Sequence, residues 1–253
     1  MNSKLFSEPN QRERSENAIS GTALISSLRN RSDDDDFIVS QILSGNIPTF
    51  LKGFVPIRVE FRLLNLTYFT TSDYISIGSD QDYVRMPVTP IVAQRIANEL
   101  SCLLPTKKMV DQIWKQSVKL NPQTLPPNSL MTSHDTALQH NNLIDQQLKQ
   151  KNISPIELLS GHKKDIIISN KILQFPKNVV IYGWHKPDGN PIQPLNAVSH
   201  SSKYYDYSHG MRLISRLGIL DGTEIDLYDL LKYKDLVGLI SDEGTIPHPY
   251  YNI

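Results

Sequence analysis

Seven histidines occur in 253 residues, and four of them fall between His162 and His209 together with Asp165, Asp188 and Asp206. Imidazole takes up and releases a proton near neutrality, and a carboxylate beside it fixes its tautomer and raises its basicity. "DYSHG" holds such a pair, Asp206 and His209, spaced so that a turn brings the carboxylate onto the ring. The spacing predicts His209 as the proton-handling centre in a cleft, with Asp206 orienting it. Gly210 would let a substrate backbone approach. His200 and Tyr205 lie just upstream, and "VIYGWH" ends on Tyr182, Trp184 and His185. Strand alternation puts Tyr182 and Trp184 on one face and His185 on the other, opposite His209. His162, Tyr182, Trp184 and Tyr205 are the expected substrate-contacting residues. A structural reading stands beside this one: an Asp–His bond that closes a turn, and core histidines bonded to tyrosines.

Three functions fit these residue types. The first is hydrolysis of amide bonds in a polymer or peptide, such as a cell-wall peptide. It has a His/Asp-centred site and, in its cysteine version, Cys102 as nucleophile, Gln94 as oxyanion donor and Asp221 as a third member. A cysteine in the last turn of a helix lacks the dipole's help, however, and reads as an inert buried thiol. The second is a zinc-dependent hydrolase on His185, His200, Asp206 and His209, whose donors suit the metal. No HExxH is present, so no metal ligand or cofactor is assigned and zinc stays the alternative. The third is a non-catalytic module whose aromatic, histidine-lined cleft holds a carbohydrate or peptide.

"SHGMRLIS" resembles the His-Gly and following apolar strand of papain-like cell-wall amidases and endopeptidases. That resemblance implies the Cys102, His209 and Asp221 arrangement. The run from His200 to Asp206, with a Trp-His upstream, is similar to part of the zinc D-alanyl peptidase pattern, but there the Trp-His comes last and follows a glutamate. The longer block "GHKKD…YGWH…DG…PIQPL…H…DYSHG" resembles a family of uncharacterised, often secreted bacterial proteins, from about Ile42 to Pro249. It implies one domain and adds no chemistry.

The elements that must position these residues can be read from periodicity. In "VPIRVEFRLLNLTYFTTSDYISIGS", Val59, Phe61 and Leu63 alternate with charged residues, predicting a half-buried strand in an antiparallel meander. "VTPIVAQRIANELSCLL" opens a helix with Thr89 as N-cap and Pro90 at its first position. "KKMVDQIWKQS" forms a second helix with Met109, Val110, Ile113 and Trp114 inward, and a third covers about 136–151. Residues 119–135 are a Pro- and Asn-rich connector that wraps the surface. Short β-branched runs return after residue 155, with a turn at Asp221–Gly222. The order strands, helices, strands predicts an α+β fold, a mostly antiparallel sheet packed against the helical segment 89–150.

Residues 1–36 are polar and charged, which predicts a flexible N-terminal tail before a single domain over 37–253. Asp33–Asp36 suit a solvated helix N-terminus. Lys+Arg and Asp+Glu both number 26, so no basic excess points to nucleic acid. The single Cys102 allows no internal disulfide. No run is apolar enough for a signal h-region or a membrane span. The expectation is a soluble protein without a cleaved signal, cytoplasmic or exported by a non-classical route.

Overall fold

The computed structural model describes residues 13–28, 31–127 and 130–252; for 31–33 it describes the backbone alone. The fold is α+β, with mostly antiparallel sheets. Strands Phe54–Phe61 and Leu64–Thr71 form a long hairpin, and Leu64–Thr71 also pairs with Ile214–Ser215 and Leu217–Leu220. Cys102–Leu103 and Thr223–Asp226 complete this six-stranded sheet. Ile57, Leu66 and Tyr68 of the hairpin are fully buried, each contributing about 1.5–3 kcal/mol. The strand ends at Phe61, not Leu63. Arg62 takes a positive φ in the tight turn, which leaves Leu63 94% exposed.

A second, four-stranded sheet runs in the order Pro191–Asn196, Ile181–His185, Lys164–Ile166, His209–Gly210. The blocks "GHKKD", "YGWH" and "DYSHG" are therefore neighbours. His209 pairs in parallel register with Lys164, and Gly210 with Asp165; Gly183 and Tyr182 flank that strand on its other side. Laterally paired residues share a face, so His209 and Lys164 lie on one side of the sheet and Gly210, Asp165 and Tyr182 on the other.

The predicted helices form where their caps stand. Thr89 accepts from Val92 N–H ahead of helix Pro90–Glu99, and Thr106 from Met109 N–H ahead of Lys107–Gln116. The latter packs on strands Ile181–His185 and Phe54–Phe61. Helix His134–Lys151 follows the connector, whose Asn121 is clasped at its backbone N–H and C=O by Gln147.

The tail reading needs correction. Residues 1–12 lie outside the described residues, but Gly21–Ser27 and Arg31–Leu43 are helices, with Leu24 and Ile25 buried in the main core. Two apolar residues in a polar stretch anchor it by packing that average composition conceals. Asp33–Asp36 do open a helix, and Asp36 pairs with Arg95. Among the described residues no helix is long and apolar enough to cross a membrane.

Candidate functional site

The sheet separates what the sequence seemed to gather. On the His209 face, the ring is wholly buried and neither ring nitrogen has a partner among the described residues. Burial pushes its pKa down to about 3. Asp206 does not orient it. The turn is closed by His209 N–H donating to the Asp206 carbonyl, while the carboxylate accepts from Lys164 Nζ at 2.8 Å, from Ser208 N–H at 2.9 Å and from Ser208 Oγ at 2.6 Å. Burial works to raise Asp206, but the nearby cations outweigh it and hold the carboxyl well below its usual range. Half-buried His200 stacks on Tyr204 at 4.0 Å between ring centroids, and the Tyr204 ring meets His209 edge-on. Tyr205 hydroxyl bonds His134 Nε2 at 3.1 Å. Gly210 does not admit a substrate. A Cβ there would stand 2.4 Å from the Tyr74 ring, so the glycine seats that tyrosine.

The cysteine arrangement does not assemble. Cys102 lies beyond the helix in a short strand beside Ser215, with Sγ on the Leu100 carbonyl. Burial pushes the thiol up to about 12, the reverse of an activated nucleophile. Gln94 is buried and ties down the C-terminal segment, donating to Asn98 and accepting from Tyr251 N–H. Asp221 sits on the exposed Asp221–Gly222 turn, accepting from Asn65 N–H at 3.0 Å. No group of three His, Cys, Asp or Glu among the described residues is placed to hold a metal ion. His185 and His209 belong to opposite sides of one sheet, which is why the four proposed zinc ligands do not converge.

The other face carries an arrangement that alternation alone misassigned. Gly183 (φ 107°) and Trp184 (φ 57°) break the strand's period, so His185 returns to the side of Tyr182, with ring centroids 5.5 Å apart. Both reach Asp111 on helix Lys107–Gln116. Tyr182 hydroxyl donates to Oδ1 at 2.7 Å and His185 Nε2 lies 3.1 Å from the same oxygen; Lys107 Nζ donates to Oδ2 at 2.9 Å. Burial works to raise Asp111, but these bonds hold it below its usual pKa. An ionised carboxylate only accepts, so Nε2 carries the proton and Nδ1 of the neutral ring is the free base. A Cβ on Gly183 would stand 3.5 Å from Asp165 Oδ2 and 3.6 Å from His185 Nδ1.

His185 and Asp165 line one small cavity with Trp114, Trp184, Lys163 and Ser160. Its volume is about 10 Å³, room for about one water. Asp165 is buried and accepts from Tyr74 hydroxyl at 2.8 Å, and burial raises its pKa to about 6 against the pull of Arg212. Lys163 donates to the Tyr207 carbonyl at 2.7 Å, and burial lowers its pKa to about 7. His162 bonds Asp73 at 2.8 Å, and Asp73 pairs with Arg85 at 2.7 Å. Arg85 in turn bonds Asn141 and Asp145. His162 is thus part of an ion network and does not line the cavity.

Asp111, Asp165, Lys163 and Trp114 are the residues that sequence reasoning did not place in the site. The signal was an acid set among Val110, Ile113 and Trp114 on a strongly amphipathic helix, where a lysine four residues before it offered only a surface pair. Compared with family models, with curated proteins and with solved structures, the chain matches none.

Proposed function

We propose that the protein is a hydrolase of amide bonds, with a peptide such as a cell-wall peptide as substrate, and that its centre is the His185–Asp111 pair. The observation that supports this most is the anchoring of His185 through Nε2 on Asp111, with the histidine lining the water-sized cavity that Asp165 also lines. In this reading Asp111 plays the orienting part that the sequence suggested for Asp206. Nδ1 takes a proton from water, and the oxygen adds to the carbonyl carbon. The carbon–nitrogen bond then breaks as the proton passes from His185 to the departing nitrogen, leaving a carboxylic acid and an amine. In the same reading Asp165, ionised above its pKa of about 6, holds the substrate.

Purified protein incubated with peptidoglycan and with defined peptides, followed by mass spectrometry, tests the reading. New amine and carboxylate ends that disappear with His185→Gln and persist with His209→Leu are expected. Tight retention of either polymer without product would overturn it in favour of a binding module. That second reading is favoured by the aromatic rim, where the Trp114 and His185 rings lie 5.6 Å apart.

A further inference from the structure

Among the described residues, the non-glycine residues with a positive φ are Arg62, Ser101, Asn152, Trp184 and Asp221. Four of these, all but Trp184, are exposed at turns or helix ends, where a left-handed residue reverses or ends the chain. Trp184 (φ 57°) is buried, inside strand Ile181–His185. A bulky side chain suits that backbone poorly, and a glycine already stands beside it at 183. Such strain persists only where the surroundings over-determine it, and it collects at functional sites.

The ring holds Trp184 in place. It packs in a cluster with Ala137 and Tyr207, and its centroid lies 6.2 Å from those of His140 and Tyr207, both edge-on. The break in the strand sets the direction of the next residue. Regular alternation would send His185 away from Tyr182, whereas both reach Asp111 Oδ1, at 3.1 and 2.7 Å. Gly183 contributes from the helix side. A Cβ there would stand 3.2 Å from Val110 Cγ1 and press on the helix that carries Asp111 at its next position. We propose that Trp184 is a positioning residue, whose buried ring fixes the left-handed backbone that delivers His185 to Asp111. This deepens the function above and rests on its placing of the base at His185.

The ring N–H that His185 places on Asp111 is read at pH 7.5 in nitrogen–proton spectra of the ¹⁵N-labelled histidines, assigned by its absence from His185→Gln. Trp184→Phe, which keeps a ring, is expected to retain the signal. Trp184→Ala, which frees the backbone to relax to regular alternation, should lose it, and kcat should fall about 10²-fold or more with KM little changed. Trp184→Gly also lacks the ring but accepts a positive φ, and should lie between the two. If the smaller variants do not fold, Trp184→Leu, apolar and without a ring, takes the place of Trp184→Ala. An unmoved His185 signal in the variant without a ring, with only the melting temperature lowered, makes the tryptophan structural and overturns the inference; so does equal loss in Trp184→Phe. The expected order of signals in a protein that hydrolyses no peptide would keep the inference and remove the hydrolase reading. Hydrolysis that survives loss of the signal would keep the positioning and remove His185 as the base.

Discussion

One sheet carries a His–Asp pair on each face, and the two have opposite characters. His209 and Asp206 are near neighbours in the chain and make no side-chain bond; His185 and Asp111 are 74 residues apart and do. On the first face Asp206 is consumed by Lys164 and Ser208, and the ring beside it is sealed from water. On the second, a carboxylate gathers three donors, one of them the histidine, and that histidine lines a small cavity. A short separation in sequence favours a turn, and a turn satisfies its polar side chains locally. A base that must meet a substrate needs an orienting partner from another element, so that its free nitrogen is not used up.

The sharpest way to break this contrast is His185→Gln. The amide can still donate to Asp111, so the fold should be retained while turnover drops about 10²- to 10⁴-fold; loss of less than tenfold in steady-state kinetics would move the centre elsewhere. His209→Ala should do the reverse. It empties a fully buried site at a cost of about 2–4 kcal/mol, seen in urea unfolding, while turnover per folded molecule stays unchanged.

Acid separates the faces further. In the unfolded chain His140 and His209 bind protons below about pH 6.5, whereas burial holds them neutral in the fold to about 2 and about 3. Unfolding therefore takes up protons, and stability falls as pH drops from 6.5 toward 3. His209→Leu should flatten that slope of melting temperature against pH. On the other face, turnover should fall as pH drops through about 6, where Asp165 becomes protonated and loses its charge. Asp165→Asn should remove this limb, and a limb that survives the substitution would assign it to another group. The smallest effect is expected from Cys102→Ala. It should cost about 1 kcal/mol of stability and nothing in turnover, and loss of activity would restore the cysteine as a nucleophile.

The local signals of the sequence were strong where one segment satisfies its own rules. Thr89 with Pro90 brings a cap that needs no distant partner, and it and the Asp221–Gly222 turn form as read. The clustering of "GHKKD", "YGWH" and "DYSHG" also proves spatial, because three short β-branched or polar runs become adjacent strands. Signals failed where a single residue changes the period. A strand alternates only while its φ stays negative, and Gly183 and Trp184 interrupt it, reversing the side on which His185 lies. Leu24 and Ile25 likewise owe their burial to a core made of distant residues.

By itself, the sequence determined the α+β class, the principal helices with their caps, and the region in which titratable side chains collect. These follow from propensities and periods that act within a few residues. Only the tertiary structure decided which histidine keeps a free nitrogen, which aspartate holds it, and that both tryptophans enclose the same cavity as Asp165. Those relations join helix Lys107–Gln116 to strands more than fifty residues later. They exist because packing the helix on the sheet leaves Asp111 with no water on one side and two donors in reach, and a partly buried carboxylate is stable only when such donors replace the water it has lost.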